Sequence, residues 1–384
     1  MRFDFATAQS IRFGPGLLET VGPLAREFGT RALVLTGRTP ARASRLLSHL
    51  ADSRVNAVTH AIASEPTIAA IDDGVALARR ERCDLVIGFG GGSVMDAAKA
   101  IGALAANPGA VLDYLEVIGR AQPLRQSSIP CIAIPTTAGT GAEVTRNAVV
   151  TSPEHRVKVS LRGAALLPRL ALVDPELTHD VPPHITAATG LDTLTQLIEP
   201  YVSSRANPLA DALCLAGLER VAASLRRAWA NGRDARARED MALASLCGGL
   251  ALANAGLGAV HGFAAPIGGT CAAPHGAICA ALLPVVMEVN LRALRERQPG
   301  AEALLRYQRV AGLLTGRPEA GPVDGVAWVR GLCAELGIPR LREFGVSAEA
   351  IPELARKAAR ANSMKANPIT FSAGELEEVL ARSL

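Results

Sequence analysis

Aromatic residues are scarce in this chain, only 3% of 384, so its core must rest on Leu, Val, Ile and Ala. No C-x-x-C pair occurs. Seven cysteines, an odd number, lie scattered at 83, 131, 214, 247, 271, 279 and 333, which argues against a disulfide scaffold and for reduced thiols. No run of 18 apolar residues is present, so no membrane span is expected. The first residues, with Asp4 among them, lack the apolar core of a signal peptide. No basic block appears either. Forty basic against 36 acidic side chains give +4, which argues against a nucleic-acid partner. With no internal repeat or low-complexity linker, the expectation is a cytoplasmic globular protein.

What is present is 49% hydrophobic and 20% charged residues, over a length that suits two domains. Short β-rich runs at 31–36, 84–88, 131–136 and 170–174 alternate with helical stretches at 40–52, 67–81 and 94–106. That alternation predicts a parallel sheet covered on both faces. Segments 147–151 and 156–161 read as a hairpin inserted into it. Beyond Pro175 the texture changes to Ala/Leu/Arg-rich helical segments, among them 208–230, 236–253 and 301–315. They predict a helix bundle, with a final short helix opened by the S-x-x-E box at Ser372. The expected domains are 1–182, α/β, and 183–384, all-α.

Three sites carry chemistry. The first is the glycine cluster Gly90-Gly91-Gly92, which follows a strand and precedes a helix beginning near Ser93. It brings bare backbone and a helix N-terminus to one place, which suits a diphosphate; a tight turn without ligand is the less favoured alternative. Its Ser93 departs from the usual dinucleotide fingerprint. The second is the loop 135–145, with Thr136, Thr137 and Thr140, at the expected carboxyl edge of the sheet; ordinary Ser/Thr turns look the same. Lys158, in the second hairpin strand, reads by residue type as a solvated lysine.

The third is a candidate ligand set in the helical half. Asp192 and Gln196 lie one turn apart on one helix face. His261 and His275 would stand about 21 Å apart on a straight helix. Pro266, Gly268, Gly269 and Pro274 interrupt that segment and let the chain fold back. A carboxylate with two imidazoles suits Fe²⁺ and also Zn²⁺. His179 and His184, near the expected domain boundary, read as surface residues.

These segments resemble the iron-containing, or group III, alcohol dehydrogenases from end to end. The resemblance rests on GGGS at 90–93 with Asp96 and Lys99, PTTAGTGAEVT at 135–145 and LVDPELT at 172–178. It continues through TGLDTLTQLIEPYVS at 189–203, HGFAAPIGG at 261–269, PHGAICAALLP at 274–284 and SMKANPI at 363–369. It implies a dehydroquinate synthase-like fold, with a dinucleotide-binding α/β domain at 1–182 and a helical metal-binding domain at 183–384, and hydride transfer, in the cleft between the two domains, between NAD(P)(H) and an alcohol or aldehyde whose oxygen meets a divalent metal. It also implies a homo-oligomer, expected to be a dimer. Gly91, Gly92 and Ser93 would hold the diphosphate; Asp96, Thr136, Thr137 and Thr140 would contact the cofactor, and Lys158 would lie near ribose and nicotinamide. Asp192, His261 and His275 would hold the metal, with or without Gln196.

Three departures qualify this expectation. The family's D-x-x-x-H is Asp192…Gln196, so an imidazole ligand has become an amide. Its H-G-x-x-H ends here in Ala265, which removes a proton-relay or substrate-orienting histidine. Finally, Gly37 and Arg38 stand where NAD-preferring relatives often carry an acid, which predicts acceptance of NADP(H). Two other activities fit the same residues less closely. One is an oxo-acid reductase similar to maleylacetate reductases, with little metal dependence. The other is a non-redox enzyme similar to dehydroquinate synthase.

Overall fold

A computed structural model describes residues 2–155, 157–271 and 273–384. The chain divides into two compact units. One comprises Ala6–Thr137 and Gly141–His179; the other comprises Asp180–Leu384 with Ala138–Thr140 and the N-terminal residues up to Phe5.

Among the described residues the first unit holds eight strands: β1 (Ser10–Phe13), β2 (Arg31–Thr36), β3 (Asn56–Ala61), β4 (Leu85–Gly90), β5 (Cys131–Pro135), β6 (Asn147–Ser152), β7 (Val157–Arg162) and β8 (Leu170–Val173). Six form one sheet in the order β1-β8-β5-β4-β2-β3, with every neighbouring pair parallel. Its helices are α1 (Val21–Phe28), α2 (Ser44–Asp52), α3 (Ile68–Arg80), α4 (Gly92–Ala106) and the single turn α5 (Val111–Tyr114). Alternation along β2 assigns the two faces. Leu33 and Leu35 pack with Ile71, Val75 and Ile101 of α3 and α4, whereas Ala32 and Val34 pack with Val21, Leu46 and Leu50 of α1 and α2. With both faces covered, β4 is buried at all six positions. Each fully buried Leu, Val or Ile contributes about 1.5–3 kcal/mol.

The two edge strands were not expected from sequence. β3 is exposed at four of its six positions and β1 has only four residues, so neither carries an apolar run. The expected hairpin is present as antiparallel β6 and β7; its second strand was expected from Arg156, which lies outside the described residues. The chain passes from β2 to the edge strand β3 and then returns to β4, on the other side of β2. Strand order therefore reverses between β2 and β4, and ligands of open α/β sheets bind beyond the carboxyl ends at such a switch point.

The second unit is helical: α6 (Pro183–Val202), α7 (Pro208–Ala230), α8 (Ala235–Ala255), α9 (Ala259–Gly268), α10 (His275–Arg297), α11 (Glu302–Thr315), α12 (Pro322–Glu335), α13 (Ile351–Arg360) and α14 (Ala373–Ser383). Asn207 and Asp234 cap α7 and α8, and Ser372 with Glu375 forms the capping box of α14, each cap contributing about 1 kcal/mol. The central helix α6 is buried almost all round, from Thr186 to Val202 with the exception of Thr189. By length and composition α10 is apolar enough to cross a membrane, but 83% of its most apolar stretch is buried inside the unit, as befits a core helix.

Candidate metal centre and dinucleotide edge

Asp192 and Gln196 stand on the buried helix α6, one turn apart. The α8 and α9 helices meet at 98°, and α9 carries His261 near its start. The break expected between the two histidines is there, but it falls between Gly268 and Pro274. Pro266 is accommodated inside α9 and so is not part of it. After the break α10 begins at His275 and returns past α6. Gly276 makes that approach close: a Cβ there would lie 2.4 Å from the carbonyl oxygen of Ala188 and 3.3 Å from the Asp192 Cβ. The imidazoles of His261 and His275, 14 residues apart, consequently have ring centroids only 5.4 Å apart.

Asp192 Oδ1 is the focus. It lies 3.5 Å from His261 Nε2 and 3.9 Å from His275 Nε2, and it is buried without a hydrogen-bond partner. The other carboxylate oxygen, Oδ2, accepts a hydrogen bond from Gln196 Nε2 at 2.8 Å. Gln196 thus turns its amide nitrogen to Asp192, and its own Oε1 is buried and unpaired. On the far side of His261, Nδ1 lies 2.7 Å from Glu199 Oε2, while Glu199 Oε1 accepts the Val260 N–H at 2.6 Å. An acceptor at Nδ1 keeps a proton there, so Nε2, which faces Asp192, is the nitrogen that can give up its proton to a cation. Cys279, one turn after His275, completes the group. Asp192, His261, His275 and Cys279 each offer a donor atom, all within 4.8 Å of one another.

Burial works to raise the pKa of Asp192, but the imidazoles of His261 and His275 outweigh it and hold the carboxyl below its ordinary range. Burial equally opposes protonation of His261. The Cys279 sulfur, Asp192 and Glu199 overcome it and push that imidazole well above its usual pKa. His275 is raised too, against burial, by Cys279 and Asp192. The cluster is an environment that favours positive charge. An orphaned carboxylate oxygen facing two imidazole nitrogens is satisfied by a divalent cation, and the donor set fits one.

Glu199 and Cys279 are absent from the sequence-based set. Glu199 lies two turns after Asp192 on the same helix and Cys279 one turn after His275, a spacing that gains meaning only with the facing helices in place. Ala265 stands one turn after His261 on α9, half-buried. His184 is exposed and His179 half-buried.

In the α/β unit the glycine cluster divides its work. Gly90 belongs to β4, and a Cβ on it would meet Val94 Cγ2 at 2.6 Å, so it serves helix–strand packing and not ligand approach. Gly91 is the N-cap of α4, without a side-chain cap, and Gly92 and Ser93 form the first turn. A Cβ at Gly91 would approach only Thr137, with Oγ1 at 3.3 Å, and the helix N-terminus stays open to an anion. Across the switch point, Thr36 pairs with Phe89 in register; its Oγ1 is buried without a partner. Next to it, a Cβ on Gly37 would meet nothing within 4 Å. Arg38 is exposed, its Nε donating to the Ala63 carbonyl at 3.3 Å. A buried hydroxyl lacking a partner beside a bare backbone and an open helix end fits a dinucleotide.

The polar loop is tied to α4. Thr136 N–H donates to the Gly90 carbonyl at 2.9 Å. The wholly buried Lys99 donates to the Ala142 carbonyl and Thr145 Oγ1, both at 2.9 Å, and to the Asn147 carbonyl, and pairs with Asp96 at 2.8 Å. Asp96 also accepts Val149 N–H at 3.0 Å, so both its oxygens are engaged within the unit. Thr136 is buried, and Thr137 and Thr140 are half-buried. Lys158 is not the solvated lysine that its residue type implied: its side chain is 5% exposed and pairs with Glu65 at 2.6 Å.

Comparison with known proteins matches two family models, iron-containing alcohol dehydrogenase over residues 8–175 and the Fe-containing alcohol dehydrogenase C-terminal family over 186–384. The 1,3-propanediol dehydrogenase of Klebsiella pneumoniae is 34% identical, over 95% of this chain and 95% of its own. The choline dehydrogenase of Bacillus subtilis is 34% identical, over 93% and 89%. Among solved structures, a 1,3-propanediol oxidoreductase superposes with a TM-score of 0.91 at 32% identity, covering all of both chains. A sulfoacetaldehyde reductase from Bifidobacterium kashiwanohense, solved with NAD⁺, gives 0.87 at 27% identity over 100% and 99%. Matches that run through both halves of this chain and nearly the whole length of its relatives lead to one conclusion: the chain belongs to the iron-containing alcohol dehydrogenase family and is an oxidoreductase.

Proposed function

We propose that the enzyme transfers a hydride between a nicotinamide dinucleotide and a small alcohol or aldehyde, with a divalent cation held by Asp192, His261 and His275. The observation that carries this reading is Asp192 Oδ1, buried, unpaired and facing two imidazole nitrogens. A divalent cation there supplies Lewis acidity, which polarises a carbonyl oxygen or favours loss of a hydroxyl proton. Glu199 holds the His261 tautomer, and Gln196 holds Asp192 Oδ2 through its amide nitrogen, acting as a positioning residue and not as a ligand. In the α/β unit Gly91, Gly92 and Ser93 would receive the diphosphate, with Thr36, Thr136, Thr137 and Lys158 around the remainder; Thr140, from the helical unit, would join them, and Asp96 would hold Lys99 and the Val149 N–H in place behind them. Gly37 and Arg38 support use of NADP(H): no carboxylate stands there to repel a 2′-phosphate, and an exposed guanidinium is at hand. Ala265 offers no proton, so exchange falls to water, a ribose hydroxyl or another side chain. Seven free thiols fit the reducing cytoplasm.

Stripping the protein with a chelator and reloading it, then following NADH and NADPH oxidation with aldehydes and oxo-acids, tests the reading. Aldehyde reduction that falls with chelation and returns with Fe²⁺ or Zn²⁺ is expected. Full activity on an oxo-acid after complete chelation would instead establish the metal-independent reductase.

A further inference from the structure

The proposed cation site has two imidazoles and one carboxylate, while the amide that stands in place of a histidine turns its nitrogen away to Asp192. A fourth donor is nonetheless present. Cys279 Sγ lies 3.6 Å from His275 Nε2 and 3.9 Å from His261 Nε2, and the residue is wholly buried. The unpaired Asp192 Oδ1 is aimed into the same space.

Simple geometry tests whether these four atoms could share an ion. Zinc–ligand bonds of about 2.0–2.3 Å around a tetrahedral centre place the ligand atoms about 3.3–3.8 Å apart. The four separations available are 3.5 and 3.9 Å from Asp192 Oδ1 to the imidazoles and 3.6 and 3.9 Å from Sγ to the same nitrogens. The two shorter separations match those edges, the two longer ones exceed the N···O and N···S edges by about 0.3–0.5 Å, and all four atoms lie within 4.8 Å of one another, so small side-chain shifts close them on one ion.

We propose that Cys279 is the fourth protein ligand of the cation, replacing the missing imidazole by a thiolate. This inference rests on the cation site proposed above. On binding, the S–H bond breaks, sulfur forms its bond to the ion, and the proton leaves to solvent. Two anionic donors, Asp192 and Cys279, neutralise a divalent charge that one carboxylate and three imidazoles would leave at +1. A soft thiolate also shifts selectivity away from Fe²⁺ and Mg²⁺ toward Zn²⁺. The site therefore belongs to a zinc-selective member of an iron-named family.

The experiment uses the full-length protein, chelated and reloaded with one equivalent of Co²⁺ or Zn²⁺. Co²⁺-loaded wild type should show a near-ultraviolet sulfur-to-cobalt charge-transfer band. The band should vanish in Cys279→Ser and persist in Gln196→Ala. X-ray absorption of the Zn²⁺-loaded wild type, which needs no variant, should show one sulfur at about 2.3 Å. Zn²⁺ affinity should fall at least ten-fold in Cys279→Ser, with Fe²⁺ affinity changing less. Stoichiometric Co²⁺ without a sulfur band or a sulfur scatterer would overturn the thiolate ligand and leave the three-ligand site standing. Failure of the wild type to bind either ion would overturn the site itself.

Discussion

Replacing Glu199 by Gln isolates the carboxylate behind His261. In the native structure Oε2 lies 2.7 Å from His261 Nδ1 and Oε1 accepts Val260 N–H at 2.6 Å, so both oxygens act as acceptors. Glutamine keeps the shape but has one acceptor and one donor. If its oxygen stays on Val260, its NH₂ faces Nδ1 and drives the imidazole proton to Nε2, where a ligand lone pair is required. If its oxygen stays on His261, the NH₂ faces the Val260 N–H, two donors in a buried contact. Either arrangement weakens the site. Loss of such an outer partner costs about 10–100-fold in metal affinity, or about 1.4–2.7 kcal/mol. Competition between the apo protein and a chromophoric chelator for Zn²⁺ gives the affinity directly, with circular dichroism to confirm an intact helical unit. An affinity within two-fold of wild type in a folded Glu199→Gln protein would refute the positioning role.

Three further outcomes are expected. Glu143 is buried beside Lys99, and burial pushes its carboxyl from 4.5 up to about 7. With the folded pKa raised, its contribution to stability is full below pH 4.5 and lost as pH rises through 7. Glu143→Gln should therefore be more stable than wild type by about 3 kcal/mol at pH 8 and equal to it at pH 4, by urea unfolding; an unchanged pH slope would contradict this. Lys99→Met removes the cation that joins α4 to the polar loop and strands Asp96. It should cost about 3–5 kcal/mol in urea unfolding of the α/β unit, and a loss below 1 kcal/mol would contradict the clamp. Arg38→Ala should raise KM for NADPH about 10–100-fold with little change for NADH, as expected for one charge-assisted contact; parallel changes for both would remove Arg38 from the 2′-phosphate.

Where burial follows periodicity, the sequence was legible. The helix Pro208–Ala230 and the strand Arg31–Thr36 appear with the limits read from their patterns, because each has an unbroken apolar signal. The edge strands β1 and β3 have none, and only pairing with the neighbouring strand makes them strands. Asp192, His261 and His275 were legible from residue type and from the chain breaks that let the histidines meet. Glu199 and Cys279 were not, since an acid or a thiol on an apolar helix acquires meaning only once the facing helix is known. Lys158 shows the same limit: residue type gave a solvated side chain, and tertiary packing buries it and pairs it with the partly exposed Glu65.

The central claim is that Asp192, His261 and His275 close on a single cation. Anomalous diffraction from metal-loaded crystals, collected at the edge of the added ion, tests it most directly. One peak within about 2.0–2.3 Å of Asp192 Oδ1 and both Nε2 atoms is the result expected. An ion bound elsewhere, or an empty cluster in protein that retains metal-dependent activity, would contradict it.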